Sequence, residues 1–390
     1  LQGAPRRDPE RVVNEAWVVR GVGALVALIA GVSASCSGNT ERTVRTVESP
    51  EPTPEFPSAR PTERAKIAPT GDPKVDAEIE GVLERVAKVR ELPILKPQHG
   101  RSLGRTELLV NLKKKAAEDL PPDVLRQQGD VYRGLGLVPL DYDFEAGLLA
   151  LLQSEIAGYY DSDDKMMYLI DDLEPDLKAM TLHHELIHAL QDQSFDLNPL
   201  TKYRPGHGDE DSAVQALIEG DAVNGMFDVA GNPSLMMEGD VVAMKFRDSM
   251  AASETASSAP IFIRDSLVSP YADGFAFVHY LREFDGWDAV NAAFKSRPQS
   301  TEQILHPEKY KTKLDLPTTV DLGTIEPGAG WKEIGRNVVG EAQISETLAR
   351  CHGTADAQLA QLQGELQCGT NCGSCIPELK RIVRLRQRAA

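Results

Sequence analysis

Thr181-Leu-His-His-Glu-Leu-Ile-His-Ala-Leu-Gln-Asp192 sets an apolar helical repeat beside two imidazoles and a carboxylate. His184 and His188 are four residues apart, so on a helix they lie one above the other and both rings reach a single ion. Glu185 stands one step round from the first imidazole, placed to address a water at that ion without binding it. Leu182, Leu186, Ile187 and Leu190 supply the buried side, and the period predicts one long helix from about Asp176 to Gln193. His183 points away from its neighbour and is read as non-ligating.

A catalytic zinc needs three protein groups and one open position for water. The extended metzincin motif is absent, because Gln191 and Ser194 stand where its Gly and third His belong. A downstream helix from Asp211 to Val229 offers Ala216-Leu-Ile-Glu219-Gly-Asp221-Ala222 instead. Glu219 lies in the most apolar part of that helix, where burying a carboxylate is costly unless it meets a cation. Glu219 is therefore the expected third ligand. Asp221 is the rival ligand, or a support for a ligating imidazole. Asp192, one turn past His188, is a support or an exposed helix end.

Working outward, apolar spacing predicts helices from Val75 to about Val86, from Pro121 to about Arg133, over Phe144–Ile156 and over Asp273–Phe284. Between the third of these and the His-bearing helix the period drops to that of strands. Ala157–Asp161 and Met166–Ile170 flank Ser162-Asp-Asp-Lys165, which reads as a hairpin. Helices with a small β unit ahead of the His-bearing helix define an α+β class, mostly helical. The hairpin edge is suited to pairing with an extended peptide, or it is scaffold.

Taken together, Glu155-Ile-Ala-Gly-Tyr-Tyr-Asp161, Leu182–Gln193 and Ala216–Ala222 resemble a family of bacterial gluzincin-type zinc metallopeptidase lipoproteins. The resemblance continues in Ser269-Pro-Tyr271, Gly286-Trp287, Ala289-Val-Asn291 and Pro298–Tyr310, and covers roughly residues 75–345. It implies a zincin-like fold with the active helix beneath a small sheet. It also implies His184, His188 and Glu219 as ligands of Zn2+, and Glu185 as the catalyst. Unlike thermolysin-like enzymes, the chain has Val223 rather than Asp four residues after Glu219. The reaction expected is hydrolysis of a peptide or protein. Tyr271 and His306 are the candidates for stabilising the oxyanion, while His279, on a predicted helix, is read as packing.

Composition agrees with a folded body and excludes some partners. Lys and Arg total 42 against 59 Asp and Glu, for a net charge of −17. A surface so acidic repels phosphate backbones, and no basic stripe with interleaved aromatics offsets it, so a nucleic-acid binder is not expected.

Both ends carry separate signals. Gly21–Val32 is an apolar run too short for a membrane span, which takes about 20 residues. Ser33, Ala34 and Ser35 follow it, then Cys36. Residues 1–36 thus read as a signal peptide ending in a lipobox-like triplet, with Cys36 lipidated and membrane-anchored. Residues 1–17 carry no structural weight. Residues 37–74, with Pro50, Pro52, Pro54, Pro57, Pro61, Pro69 and Pro73, read as a solvated linker. Ser37 after the cysteine favours an outer-membrane lipoprotein facing the periplasm or the exterior. Residues 75–350 form the expected hydrolase domain. Residues 351–390 are a Cys-rich, basic tail with no assigned role, in which Cys351, Cys368, Cys372 and Cys375 suit disulfides in an envelope protein.

Two other readings use the same residues. One is a non-catalytic lipoprotein that keeps the fold and a metal as a binding module. The other is an amidase acting on cell-wall material.

Overall fold

A computed structural model of the chain describes residues 71–120, 123–252, 254–318, 338–348, 351–366 and 376–389. Cys36, the signal and nearly all of the linker lie outside the described residues, as do Cys368, Cys372 and Cys375. The architecture is α+β and mostly helical, with a three-stranded sheet.

The chain enters through α1 (Pro73–Arg90), whose Asp72 side chain caps the Lys74 amide at 2.8 Å. β1 (His99–Leu103) follows, then α2 (Arg105–Asp119), α3 (Val124–Gly134) and α4 (Phe144–Glu155). The expected hairpin forms from β2 (Gly158–Asp161) and β3 (Met166–Ile170). The sheet order is β1-β3-β2, with β3 antiparallel to β2 and parallel to β1. β3 is buried along its whole length, so both of its faces are covered. β1 escapes sequence reading because Leu103 is the single apolar side chain in His99-Gly-Arg-Ser-Leu103. It is a strand because β3 offers it a ladder and because Gly100 admits α1, where an added Cβ would come within 2.7 Å of Val75 and 2.9 Å of Ile79.

α5 (Pro175–Phe195) is the His-bearing helix and packs against β2, β3 and α1. Its whole middle, Thr181 to Asp192, is buried, so the helix runs through the core with no solvated face there. A short α6 (Asn198–Thr201) leads to α7 (Gly208–Val229), whose run from Ala213 to Met226 is likewise buried. After α8 (Gly239–Ala252) and α9 (Glu254–Ser258) comes α10 (Ile261–Lys295). The sequence reading places this helix over about Asp273–Phe284, after Pro270. The structure continues it through Pro270 and beyond Phe284. Asp285 and Gly286 break it, Gly286 at φ 54°, which a residue without Cβ adopts at least cost, and Trp287 then restarts it at a new angle.

α7 and α10 cross at van der Waals distance through two glycines. A Cβ at Gly220 would lie 2.0 Å from the Gly274 carbonyl oxygen, and one at Gly274 would lie 2.1 Å from that of Ala216. This crossing sets Glu219 of α7 close to Tyr271 of α10.

α11 (Thr301–Leu305), α12 (Glu308–Lys311) and α13 (Glu341–Leu348) complete the body. The carboxyl segment, given no element by sequence, contains α14 (Ala355–Leu366) and α15 (Ile376–Ala389). Leu348, Cys351, Leu359, Leu362, Leu379, Ile382 and Val383 form a small apolar cluster there. No helix among the described residues is long and apolar enough to cross a membrane.

The glycine crossing yields a paired expectation. Gly274→Ala forces backbone apart and lowers stability by about 1–3 kcal/mol, read as a fall in the urea midpoint. Gly81→Ala, in α1 with nothing within 4 Å of the new Cβ, raises stability by about 0.5–1 kcal/mol. An unchanged midpoint for Gly274→Ala would mean that these helices are not in contact.

Candidate metal centre

His184, His188 and Glu219 meet in the core, at 2 %, 6 % and 1 % exposure. His184 Nε2 lies 3.2 Å from Glu219 Oε2, His188 Nε2 lies 3.3 Å from the same oxygen, and the two imidazole nitrogens are 3.0 Å apart. The rings stand nearly perpendicular, at 86°. Three lone-pair donors turned toward one another are stable only around a shared proton or cation. This group could hold a metal ion.

The remaining polar atoms are constrained unevenly. Gln215, one turn before Glu219 on α7, donates to Glu219 Oε1 at 2.6 Å and so leaves Oε2 turned to the imidazoles. His188 Nδ1 lies 2.8 Å from Gln191 Oε1. His184 Nδ1 has no hydrogen-bond partner among the described residues. Glu185 is 2 % exposed and receives the backbone N–H of Tyr160 on β2, while its Oε1 is buried and without a partner among the described residues. A buried carboxylate oxygen left open beside three converging ligands is what a water at a metal would satisfy.

Charge in this core is tightly coupled. Burial pushes the Glu185 carboxyl up, against the opposing pull of His184 and His188. For Glu219, burial acts in the same upward sense, but the two imidazoles outweigh it and hold the carboxyl down. Burial pulls His188 down, yet the Glu219 carboxylate prevails and raises it. Tyr271 is buried with its ring 6.0 Å from that of His184. Desolvation, then Glu219 and Glu185, drive its phenol well above the ordinary range, so it stays protonated.

The other candidates fall elsewhere. His183 accepts from the Arg85 guanidinium at 2.9 Å through Nε2, and burial followed by that positive charge brings its pKa down to about 4. It lies outside the group of His184, His188 and Glu219, as its position on the helix implies. His306 caps α11 and bonds through Nε2 to Glu341 at 2.9 Å, not to the His184 group. His279 packs its ring 6.0 Å from Phe275. Asp221 does not reach the three ligands and instead accepts from Gln191 at 2.8 Å. Asp192 is buried, not an exposed helix end, and accepts from Tyr160, Lys165 and the Leu197 amide. It ties the hairpin to α5. Gln191, noted in the sequence only as a missing Gly, is thus a partner of His188. Its position one helical turn on was the available signal.

No protein family, curated protein or solved structure matches the chain.

The Glu219 carboxylate, against the opposing effect of burial, holds a proton on His188 that an incoming cation must displace. Metal affinity therefore strengthens with pH through the neutral range, by up to about tenfold per unit for each proton released. Chelator competition between pH 6 and 8 checks this, and a pH-independent affinity would contradict it.

Proposed function

We propose that the protein is a zinc-dependent metallohydrolase, a peptidase of zincin-like fold, anchored to the cell envelope through a lipidated Cys36. The observation that carries this reading is the triangle of His184, His188 and Glu219. Nitrogen and oxygen ligands at about 2.0–2.1 Å on a tetrahedral ion are spaced by about 3.3 Å, and the edges here are 3.0, 3.2 and 3.3 Å. The donor set of two imidazoles and one carboxylate suits zinc, and three protein ligands leave the fourth position for substrate or water.

Zinc, when bound, supplies Lewis acidity that polarises a carbonyl and makes water easier to deprotonate. The chain supplies the rest. Glu185, adjacent to the ligands and kept from its ordinary acidity by burial, accepts a proton from the attacking water and returns it to the leaving amine. Tyr271 donates its O–H to the developing oxyanion. β2 is an edge of the sheet and lends its Tyr160 amide to Glu185. That nearness supports the reading in which an extended peptide aligns along this strand. A purely structural or carrier site has no use for a buried, partly unsatisfied carboxylate between its two imidazoles, which favours catalysis over a binding module.

Two measurements on the purified chain test this. Zinc analysis is expected to give one ion per chain, retained in Glu185→Gln and lost in His184→Ala. Hydrolysis of an unfolded protein substrate is expected to fall by about 10²–10⁴ in Glu185→Gln and about 10²–10³ in Tyr271→Phe. Cleavage of cell-wall fragments alone would replace the peptidase reading with the amidase one. Undiminished activity in Glu185→Gln would refute the mechanism.

A further inference from the structure

Behind the metal-binding group lies a second set of buried polar residues that the proposed reaction does not use. Gln191 is fully buried on α5 and makes three hydrogen bonds. Its Nε2 donates to the backbone carbonyl of Ile218 at 3.0 Å and to Asp221 Oδ2 at 2.8 Å. A backbone carbonyl can only accept, so the Ile218 contact alone fixes which end of the amide is nitrogen. Oε1 must then be the atom facing His188 Nδ1 at 2.8 Å. An acceptor there requires the proton on Nδ1, which turns the lone pair of Nε2 toward His184 and Glu219.

Asp221 is held in turn. Arg90, the last residue of α1 and fully buried, donates to Asp221 through Nε at 2.5 Å and Nη2 at 3.0 Å. Nη2 also donates to Asn291 at 2.9 Å, and the guanidinium lies 4.3 Å from the centre of the Trp287 ring. Trp287 and Asn291 reach this corner because α10 breaks at Gly286. Residues from α1, α5, α7 and α10 are therefore spent on orienting one amide.

We propose that Gln191, clamped by Asp221 and Arg90, is a positioning residue that locks His188 in the Nδ1–H tautomer and so presents Nε2 as a metal ligand. The proposal rests on His188 being a zinc ligand. It gives a role to Arg90, which nothing local in its sequence marks, and to Trp287 and Asn291, which brace it. Among the described residues His184 has no comparable partner at Nδ1, so the two imidazoles are held asymmetrically.

The test uses the full chain and two readouts. Zinc affinity by chelator competition is expected to weaken by about 10–100-fold in Gln191→Met. It weakens similarly in Arg90→Met but less in Arg90→Lys, which keeps a donor for Asp221. Long-range 1H–15N correlation of the histidine rings, recorded without metal at alkaline pH where the imidazoles are neutral, is expected to show a single Nδ1–H form for His188. In Gln191→Met that form gives way to a mixture. Should Arg90→Met fail to fold, Gln191→Met, a swap close in size on the helix that carries His188, still decides the matter. Parent-like zinc affinity in Gln191→Met, or an unchanged His188 tautomer, would overturn the proposal. If the parent chain takes no zinc, the zinc reading itself fails. The tautomer measurement, made without metal, then judges the clamp separately.

Discussion

A carboxylate at 1 % exposure in the middle of an apolar helix is costly to bury, and its neighbours are arranged to meet that cost. Glu219 faces two imidazoles with one oxygen and accepts from Gln215 with the other. Remove the imidazoles and the acid has no counterpart in the core. Remove the acid and two nitrogens 3.0 Å apart face each other with nothing between them to share. The three residues are meaningful only as a set, one that could hold a metal ion.

Holding that set requires two buried helices at fixed separation and a third against them. The crossing of Gly220 and Gly274 brings α7 onto α10 with backbone in contact. β2 and β3 brace α5 from the other side, through Asp192 and the Tyr160 amide that reaches Glu185. The break at Gly286 returns Trp287 toward α1, where Arg90 closes the structure behind the ligands. Fold and site share the same residues, because the polar groups that would otherwise weaken this core are bonded to one another.

What was legible in the sequence was what spacing encodes. The i, i+4 imidazoles, the apolar period around them and the acid buried in the Ala216–Ala222 run all follow from local pattern, and the structure sets those three residues together. The hairpin was legible too, since four polar residues separate two strand-like runs. β1 was not, because its strand state comes from pairing with a distant strand and not from its own side chains. The length of α10 was not legible, since the sequence reading begins it at Asp273 whereas the structure carries it from Ile261 through Pro270. Arg90 and Gln191 were invisible for a different reason: their role exists only when four helices meet, and no one-dimensional pattern places Arg90 beside Asp221. His306 was singled out in Leu305-His306-Pro307, yet its Nε2 is bonded to Glu341, not to the His184 group.

The most direct measurement of the central claim is X-ray absorption at the metal edge of the zinc-loaded chain. The account predicts two imidazoles and one carboxylate oxygen, with nitrogen and oxygen scatterers at about 2.0–2.1 Å and one further light atom in the open position. Sulfur scatterers at about 2.3 Å, or a spectrum lacking the imidazole pattern, would contradict it.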